Sequence, residues 1–345
     1  MSSDDRPRVG FTCAYTPLPL LDAAGLAPYR ILPESDCDEV AGELLHDNLC
    51  AHVKRVLDRA RAGDLPELAG VVFMNSCDAM RRLADAWPRA RPEVPSLLLD
   101  LPAEVRETST NFFASELTRL AALLPSWGGQ PVGDVDLRRS WQRYQRVAEA
   151  LARLRQGAGT EAQRWHNRAS TEDWDHVLPE LEAAAVTPGT AIPGVPVLLF
   201  GNVMSDPEAM ELLAACGARV VDDDLCTGSR LFSALPPAPG DDGDVLNALA
   251  RAWLQRPPCA RTVTSPPGRL GQILVERART AGARGAIAHS LKFCDPYLAR
   301  MPTVRDAFRE AGLPLLVLEG DCTQRTLGQQ RTRIEAFVEM LGDVA

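Results

Sequence analysis

The sequence predicts an α/β protein made of two similar doubly wound, four-stranded parallel-sheet domains with a helical connecting region. Three observations support this fold class. Short apolar runs alternate with helical patterns in both halves, the two halves repeat local sequence, and the stretch between them carries only helical patterns. At 345 residues the chain is too long for one ordinary core. We place a first α/β domain at 1–111, a helical connector at 112–192 and a second α/β domain at 193–345.

Each half contains four candidate strands rich in Leu and β-branched residues. Those of the first half are RVGFTC (8–13), YRILP (29–33), GVVFMN (70–75) and SLLLDL (96–101). Those of the second half are VPVLLFG (195–201), ARVVDDD (218–224), GAIAHS (285–290) and PLLVLEG (314–320). Strands of this length, separated by helical patterns, are typical of parallel βαβ units.

Two internal similarities indicate a duplication. LLDAAGLAPYRILP resembles LLAACGARVVDDD, and in each a helix ends at Gly before the second strand. GVVFMNSCD resembles GAIAHSLKFCD, and in each the third strand leads into Cys-Asp. The simplest account is two copies of one unit with right-handed crossovers. Between the copies, FFASELTRLAALL and VDLRRSWQRYQRVAEALARLRQ are helical, and PGTAIPGVP is a linker into the second copy.

Composition and charge exclude several classes of protein. The net charge is −9 and the basic residues are spread along the chain, so we expect no nucleic-acid partner. No uncharged run approaches the length that spans a bilayer, so we expect no membrane partner. The N-terminal MSSDDRPRVG is acidic where a signal peptide is positively charged, and no long apolar segment follows it. We therefore expect a cytoplasmic location.

Nine cysteines at irregular spacing do not form a disulfide framework, and they indicate metal or redox chemistry. Cys77 and Cys294 each follow the third strand of a domain, at the sheet edge where ligands bind in parallel sheets. Cys50 lies between strands two and three, on a helix or at its start, and Cys226 holds a loosely corresponding place in the second copy. Two copies facing each other would bring Cys77 and Cys294 into one cleft, and Cys50 could point into the same cleft.

Three thiolates from separate segments suit a soft metal or an iron–sulfur cluster, because zinc sites more usually show CxxC pairs, which this chain lacks. The alternatives are buried structural cysteines and a nucleophilic cysteine, for which no paired base is evident. Only two lysines occur, Lys54 near Cys50 and Lys292 near Cys294. They are cations that would raise a cluster's reduction potential, or ordinary solvated charges.

Several motifs occur together in an order and spacing that resemble one family. They are VGFTCAYTPLPLLDAAGLAPYRI, NLCAHVKRVL, GVVFMNSCDAMRRL followed by LLLDLP, DDLCTGSR, LKFCDP and GQQRTRIEAFVEML. The chain resembles the iron–sulfur subunits of 2-hydroxyacyl-CoA dehydratases and benzoyl-CoA reductases, a family that also includes double-cubane cluster proteins. The resemblance spans nearly the whole chain and implies two small α/β domains with a cluster between them.

The resemblance implies a 4Fe-4S cluster held by Cys50, Cys77 and Cys294, with the fourth ligand open. It also implies an iron–sulfur-dependent lyase or oxidoreductase acting with a related subunit or a second copy of itself, as a dimer. A separate ATP-hydrolysing activator would supply low-potential electrons for radical dehydration or reduction of an acyl-CoA-like thioester. The sequence has no GxxxxGK[ST] phosphate loop, as expected if a separate activator hydrolyses the ATP.

Other functions stay open at this point. One is a double-cubane-type or divergent iron–sulfur reductase of a small non-CoA substrate. Others are a non-catalytic electron-transfer or accessory subunit and a metal-free α/β binding module. The family often shows Pro-x-Glu-Leu where this chain has Pro19 in place of the acidic residue, which favours a departure from the usual chemistry. His52, Arg230 and Lys292 are catalytic candidates only because they lie near the expected cleft. Cys226 either packs in the core, contacts the substrate or contacts the cluster.

Overall fold

A computed structural model describes residues 6–33, 39–155, 159–186, 193–240, 243–262, 268–322 and 325–343. Residues 188–192 of the predicted linker PGTAIPGVP lie outside the described residues. The first half contains, in order, β1 (Arg8–Phe11), α1 (Leu18–Ala23), β2 (Ala27–Arg30), α2 (Ala51–Ala62), β3 (Gly70–Asn75), α3 (Asp78–Ala90) and β4 (Ser96–Asp100). The helices that follow are α4 (Glu107–Leu123), α5 (Asp134–Arg155), α6 (Gly159–Thr171) and α7 (Trp174–Val186).

The second half repeats the plan of the first. Its elements are β5 (Val195–Gly201), α8 (Pro207–Ala215), β6 (Ala218–Asp224), α9 (Val245–Leu254), α10 (Arg269–Thr280), β7 (Gly285–Leu291), α11 (Asp295–Glu310), β8 (Leu315–Gly320) and α12 (Arg325–Asp343). The two sheets have the equivalent orders β2-β1-β3-β4 and β6-β5-β7-β8, and neighbouring strands pair in parallel throughout. The predicted fold class is confirmed.

All eight predicted strands are present among the described residues, and β2 shows the largest shift in position. The sequence predicts a strand at 29–33, whereas β2 is Ala27–Arg30. Pro28 lies within β2, although proline cannot donate a ladder hydrogen bond. However, β2 is an edge strand, where proline is tolerated. Arg30 therefore lies at the end of the strand and not inside it.

The predicted helix–Gly–strand unit also occurs in both copies. Helix α1 is followed by Gly25 with φ of 75°, and helix α8 by Gly217 with φ of 81°. Both glycines adopt the left-handed conformation that ends helices at low steric cost. This local similarity supports the duplication.

The helices between the sheets pack against both halves. Tyr144 of α5 lies in an aromatic cluster with ring centroids 6.3 Å from Trp174, 5.7 Å from Phe232 and 5.4 Å from Trp253. Its hydroxyl donates a hydrogen bond to the Leu231 carbonyl at 2.8 Å. The predicted domain boundaries at 111 and 192 stay predictions.

One apolar cluster extends across the two sheets. It includes Phe73 of β3, which packs edge-on against Trp87, and Phe200 of β5, which stacks on Phe308. This shared core brings the two sheets together around the cavity described below. Among the described residues, every helix falls short of the length and apolarity that a bilayer-spanning segment requires.

Candidate metal centre

A cavity of about 100 Å³ lies between the two halves and is lined by residues that follow strands of both sheets. Thr12 and Cys13 follow β1, Arg30 ends β2, and Cys77 follows β3. In the second half, lining residues follow β5, β6 and β7: Asn202, Val203, Cys226 and Cys294. Ligands of parallel sheets bind at this edge, so the duplication makes two binding edges contribute to one cavity.

The three predicted cluster ligands, Cys50, Cys77 and Cys294, all line this cavity. Each occupies the residue immediately before a helix, at the start of α2, α3 and α11 respectively. The Asp-Pro after Cys294 begins α11, because proline is compatible with the first turn of a helix. The N-terminal ends of helices carry partial positive charge, which favours negative charge on these sulfurs.

Burial raises the pKa of all three thiols. The pKa of Cys50 rises to about 12, with a further contribution from the neighbouring Cys294. The pKa values of Cys77 and Cys294 are raised by the same cause. The backbone amides of Val53, Met80 and Tyr297, each three residues after one of these cysteines, oppose the rise in pKa. Among the described residues, however, none of the three sulfurs accepts a helix-cap hydrogen bond of ordinary length and angle.

These thiols are therefore protonated unless a cation takes the place of the proton. Metal binding to cysteine releases that proton and is favoured by the partial charges of the helix ends. The side-chain amide of Asn202 donates to the Cys294 sulfur at 3.0 Å, and its oxygen accepts from the Leu291 amide at 3.1 Å. Asn202 thus holds the β7–α11 turn and directs a donor at the sulfur.

Gly201, at the end of β5, permits the close approach of the strands beside the cavity. Its φ is 141°, and an added Cβ would lie 1.9 Å from the carbonyl oxygen of His289. The Gly201 carbonyl accepts hydrogen bonds from Tyr297 at 2.9 Å and from Arg230 at 3.2 Å. A side chain at this position would displace the strand that carries the Cys294 turn.

Three further cysteines line the same cavity: Cys13, Cys226 and Cys259. Burial raises the pKa of Cys13 to about 11, and the nearby Cys226 and Cys259 add to this rise. Arg230 donates to the Cys226 sulfur at 3.0 Å. Six thiols of the described residues thus border one cavity, in contrast to the three that the sequence singled out as ligands.

The positively charged residues that line the cavity are arginines and not the two lysines. The Lys54 ammonium donates to the Asp47 carbonyl at 3.0 Å and lies 6.0 Å from the Phe293 ring, while Lys292 is exposed. Neither is among the residues that line the cavity. The cationic lining residues are Arg30, Arg230 and Arg261, and an effect of the two lysines on a cluster stays a prediction.

The three catalytic candidates are placed differently. His52 and Arg230 line the cavity, and Lys292 does not. Burial and the charge of Arg30 lower the pKa of His52 to about 3, so its imidazole is neutral. Arg230 is 1% exposed and forms a 2.7 Å ion pair with Asp224, which is 2% exposed. Its guanidinium is therefore held in place by buried partners.

The donor set fits a sulfur-ligated group of several atoms. Thiolates are soft ligands that prefer iron–sulfur clusters and soft metals. The cavity of about 100 Å³ compares with an engineered cavity of ~150 Å³ that binds benzene, so a small multi-atom group has room. Within the described ranges, no three His, Cys, Asp or Glu side chains are arranged to hold a single metal ion.

Comparison with known proteins decides the family. The 2-hydroxyglutaryl-CoA dehydratase D-component family matches residues 13–341. The chain belongs to this family. It is similar to the (R)-phenyllactyl-CoA dehydratase beta subunit of Clostridium sporogenes, with 24% identity over 99% of this chain and 93% of the relative.

Two other relatives of the family are named as different enzymes. The match to the (R)-2-hydroxyglutaryl-CoA dehydratase beta subunit of Acidaminococcus fermentans is 23% identical and covers 96% of this chain and 92% of the relative. The match to a benzoyl-CoA reductase subunit of Thauera aromatica is 23% identical and covers 90% and 84% respectively. The resemblance inferred from the motifs is confirmed.

The position at which this chain departs from the family pattern has a clear local structure. Pro19 is the second residue of α1 and is buried, where the absence of a backbone N–H is tolerated. It is not among the residues that line the cavity. Its ring therefore contributes to the packing of α1.

Sequence reasoning missed Cys13, Cys259 and Arg30 as lining residues. Cys13 could have been found, since it follows a first strand as Cys77 follows a third. Arg30 was hidden by the three-residue error at the end of β2, which put it inside a strand. Cys259 lies in the segment between α9 and α10, and no local pattern marks it as close to the sheet edge.

Proposed function

We propose that this chain is a 4Fe-4S subunit of an enzyme like the 2-hydroxyacyl-CoA dehydratases and benzoyl-CoA reductases, acting on an acyl thioester by radical dehydration or reduction. Cys50, Cys77 and Cys294 would hold the cluster. The observation that carries the proposal is the convergence of these three cysteines, each at a helix N-terminus, on one buried cavity between the duplicated sheets.

When bound, a 4Fe-4S cluster would supply one-electron chemistry at low potential. The chain's own residues hold and shield it. Asn202 directs a hydrogen-bond donor at the Cys294 sulfur, and the helix ends place partial positive charge near all three sulfurs. The apolar side chains of Val53, Met80, Val203 and Leu291 restrict water around the site.

The proposed partners follow from the family and from the sequence. Relatives are named as beta subunits of dehydratases or as one subunit of a benzoyl-CoA reductase, which supports assembly with a related subunit or with a second copy. The lack of a phosphate-binding loop in the sequence supports a separate ATP-hydrolysing activator as the electron donor.

The test is iron and sulfide analysis of anaerobically purified protein, with EPR of the reduced state. We expect about four irons per chain for a single cubane, and loss of most of this iron when Cys50, Cys77 or Cys294 is replaced by Ala. Cys216→Ala is the matched control, because Cys216 is also buried but does not line the cavity. If all three ligand variants keep the iron content of the wild type, the cluster assignment is wrong.

The three further thiols favour a second candidate, a double-cubane-type reductase of a small non-CoA substrate. Cys13, Cys226 and Cys259 line the same cavity as the first three, so one chain has enough thiols there for a larger cluster. This candidate predicts about eight irons per chain and a loss of about half of them in Cys226→Ala. The single-cubane proposal predicts that Cys226→Ala keeps its iron.

A further inference from the structure

Arg30 is a buried cation at the end of β2 whose side chain reaches the cavity. It is 1% exposed and is one of the largest fully buried side chains among the described residues. Because β2 ends at this residue, its side chain lies at the same carboxyl edge as the thiols and is one of those that line the cavity.

The hydrogen bonds of Arg30 are incomplete. Its Nη1 donates to the Cys226 carbonyl, whereas its Nε and Nη2 are buried and have no hydrogen-bond partner among the described residues. Arg256, also buried, shows the usual arrangement, since its Nε, Nη1 and Nη2 donate respectively to Ser233, to Ala14 and to Leu231. Buried donors are normally satisfied, so the open donors of Arg30 indicate an acceptor that the described residues do not provide.

The charge of Arg30 is also unbalanced. Burial lowers its pKa, Arg230 lowers it further, and Cys226 and Cys13 oppose this. No carboxylate of the described ranges is among these influences, in contrast to Arg230, which is paired with Asp224 at 2.7 Å. A buried cation without a counter-ion is strongly unfavourable, so an anion at Arg30 would stabilise the folded protein.

The free donors identify the shape of the anion. Nε and Nη2 form one edge of the guanidinium, and other arginines of this chain bind both oxygens of a carboxylate with this edge. Arg146 does so with Glu182 at 2.8 and 2.7 Å, and Arg168 with Glu172 at 2.8 and 2.9 Å. Two parallel hydrogen bonds of this kind match a carboxylate or a phosphate, and the carboxylate pairs of Arg146 and Arg168 show that this chain uses the edge for carboxylates.

We propose that Arg30 binds the carboxylate of a small ligand in this cavity through its Nε and Nη2. The carboxylate belongs either to a free carboxylic acid or to the acyl group of a thioester, and the second source rests on the function proposed above. The cavity of about 100 Å³ restricts the part of the ligand inside it to a short chain. Arg30 is then a residue that determines substrate class.

The experiment is thermal unfolding of anaerobically purified protein, with iron content measured on the same samples. The probes are succinate against uncharged succinamide, and succinyl-pantetheine thioester against butyryl-pantetheine thioester. We expect a saturable rise in Tm with a charged probe and none with its uncharged counterpart, since ligands stabilise the state that binds them. Succinate identifies the free acid as the source, and a response to the thioester alone identifies the acyl group.

Variants of Arg30 make the test specific. Arg30→Met should keep its iron, lose the response to the charged probe, and unfold at a Tm no lower than that of the wild type without ligand, because it removes an unpaired buried charge. Arg30→Lys keeps the positive charge but cannot donate two parallel hydrogen bonds to one carboxylate. The dissociation constant of this variant for the charged probe should therefore rise about tenfold or more. Arg81→Met, at an exposed position, is the matched control and should respond as the wild type does.

Three results would overturn the proposal: no response of the wild type to either charged probe, an equal response in Arg30→Met, or loss of iron in Arg30→Met. The last would show that Arg30 balances the charge of a cluster and not that of a ligand. If Arg30→Met does not fold, Arg30→Lys decides, and wild-type affinity in that variant contradicts the proposal. Iron-free wild-type protein that still binds succinate would refute the cluster but not the carboxylate site.

Discussion

Replacing Asp224 with Asn should destabilise the protein strongly. Asp224 is 2% exposed and pairs with Arg230, which is 1% exposed, at 2.7 Å. It also accepts from Arg277 at 3.3 Å. The substitution leaves the Arg230 guanidinium buried without its counter-ion, and breaking a buried ion pair in this way costs about 3–5 kcal/mol.

The neighbouring pair provides the control. Asp222 pairs with Arg277 at 2.7 Å, but these side chains are 24% and 23% exposed. Water screens this pair, and Arg277 keeps its contact with Asp224. Asp222→Asn should therefore cost about 1 kcal/mol or less, although the charge change is the same.

The assay is urea-induced unfolding, followed by tryptophan fluorescence under anaerobic conditions. The double variant Asp224→Asn/Arg230→Met should be less destabilised than the sum of the two single variants by about 2 kcal/mol, since removing both charges leaves none unpaired. Equal losses for Asp224→Asn and Asp222→Asn, or strict additivity in the double variant, would refute the reasoning.

Two further predictions concern stability. Gly201→Ala should cost roughly 3 kcal/mol or more, because its Cβ would lie 1.9 Å from the His289 oxygen at a φ of 141°. Gly159→Ala, with no described atom within 4 Å of the added Cβ, should unfold at or slightly above the wild-type urea midpoint, and similar midpoints for the two variants would contradict the steric argument. Burial lowers the pKa values of His166 and His289 to about 4, while histidine in the unfolded chain titrates at about 6.5. The unfolded chain thus binds more protons between these values, and stability should fall as pH drops from about 6.5 to about 4. His166→Gln and His289→Gln should each flatten this part of the pH profile, and unchanged slopes in both variants would show that these residues do not carry it.

The strands were predictable because local chemistry specifies them. Parallel strands that are covered on both faces need continuous apolar runs, and GVVFMN and VPVLLFG each occupy their predicted bounds. Where the prediction failed, the decisive information was not local. Pro28 is tolerated in β2 only because that strand is at the sheet edge, and edge position depends on the order of all four strands.

The same distinction holds for the candidate site. Cys77 and Cys294 follow equivalent strands, so the repeated pattern was sufficient to place both at a binding edge. The two lysines show the limit of sequence proximity, because their position near Cys50 and Cys294 in the chain does not bring their ammonium groups to the cavity. The Lys54 ammonium is instead held by the Asp47 carbonyl, and Lys292 is exposed.

By itself, the sequence determined the duplicated α/β plan, the strands and the place of three cysteines next to strand ends or helix starts, because these depend on short-range patterns of apolar residues, glycine and proline. Only the tertiary structure decided that Cys13, Cys226 and Cys259 border the same cavity as those three. It alone placed Arg30 there with two donors open among the described residues. Their meeting depends on how two sheets, separated by a helical region, pack against each other, and that packing is the sum of many long-range contacts that no local pattern encodes.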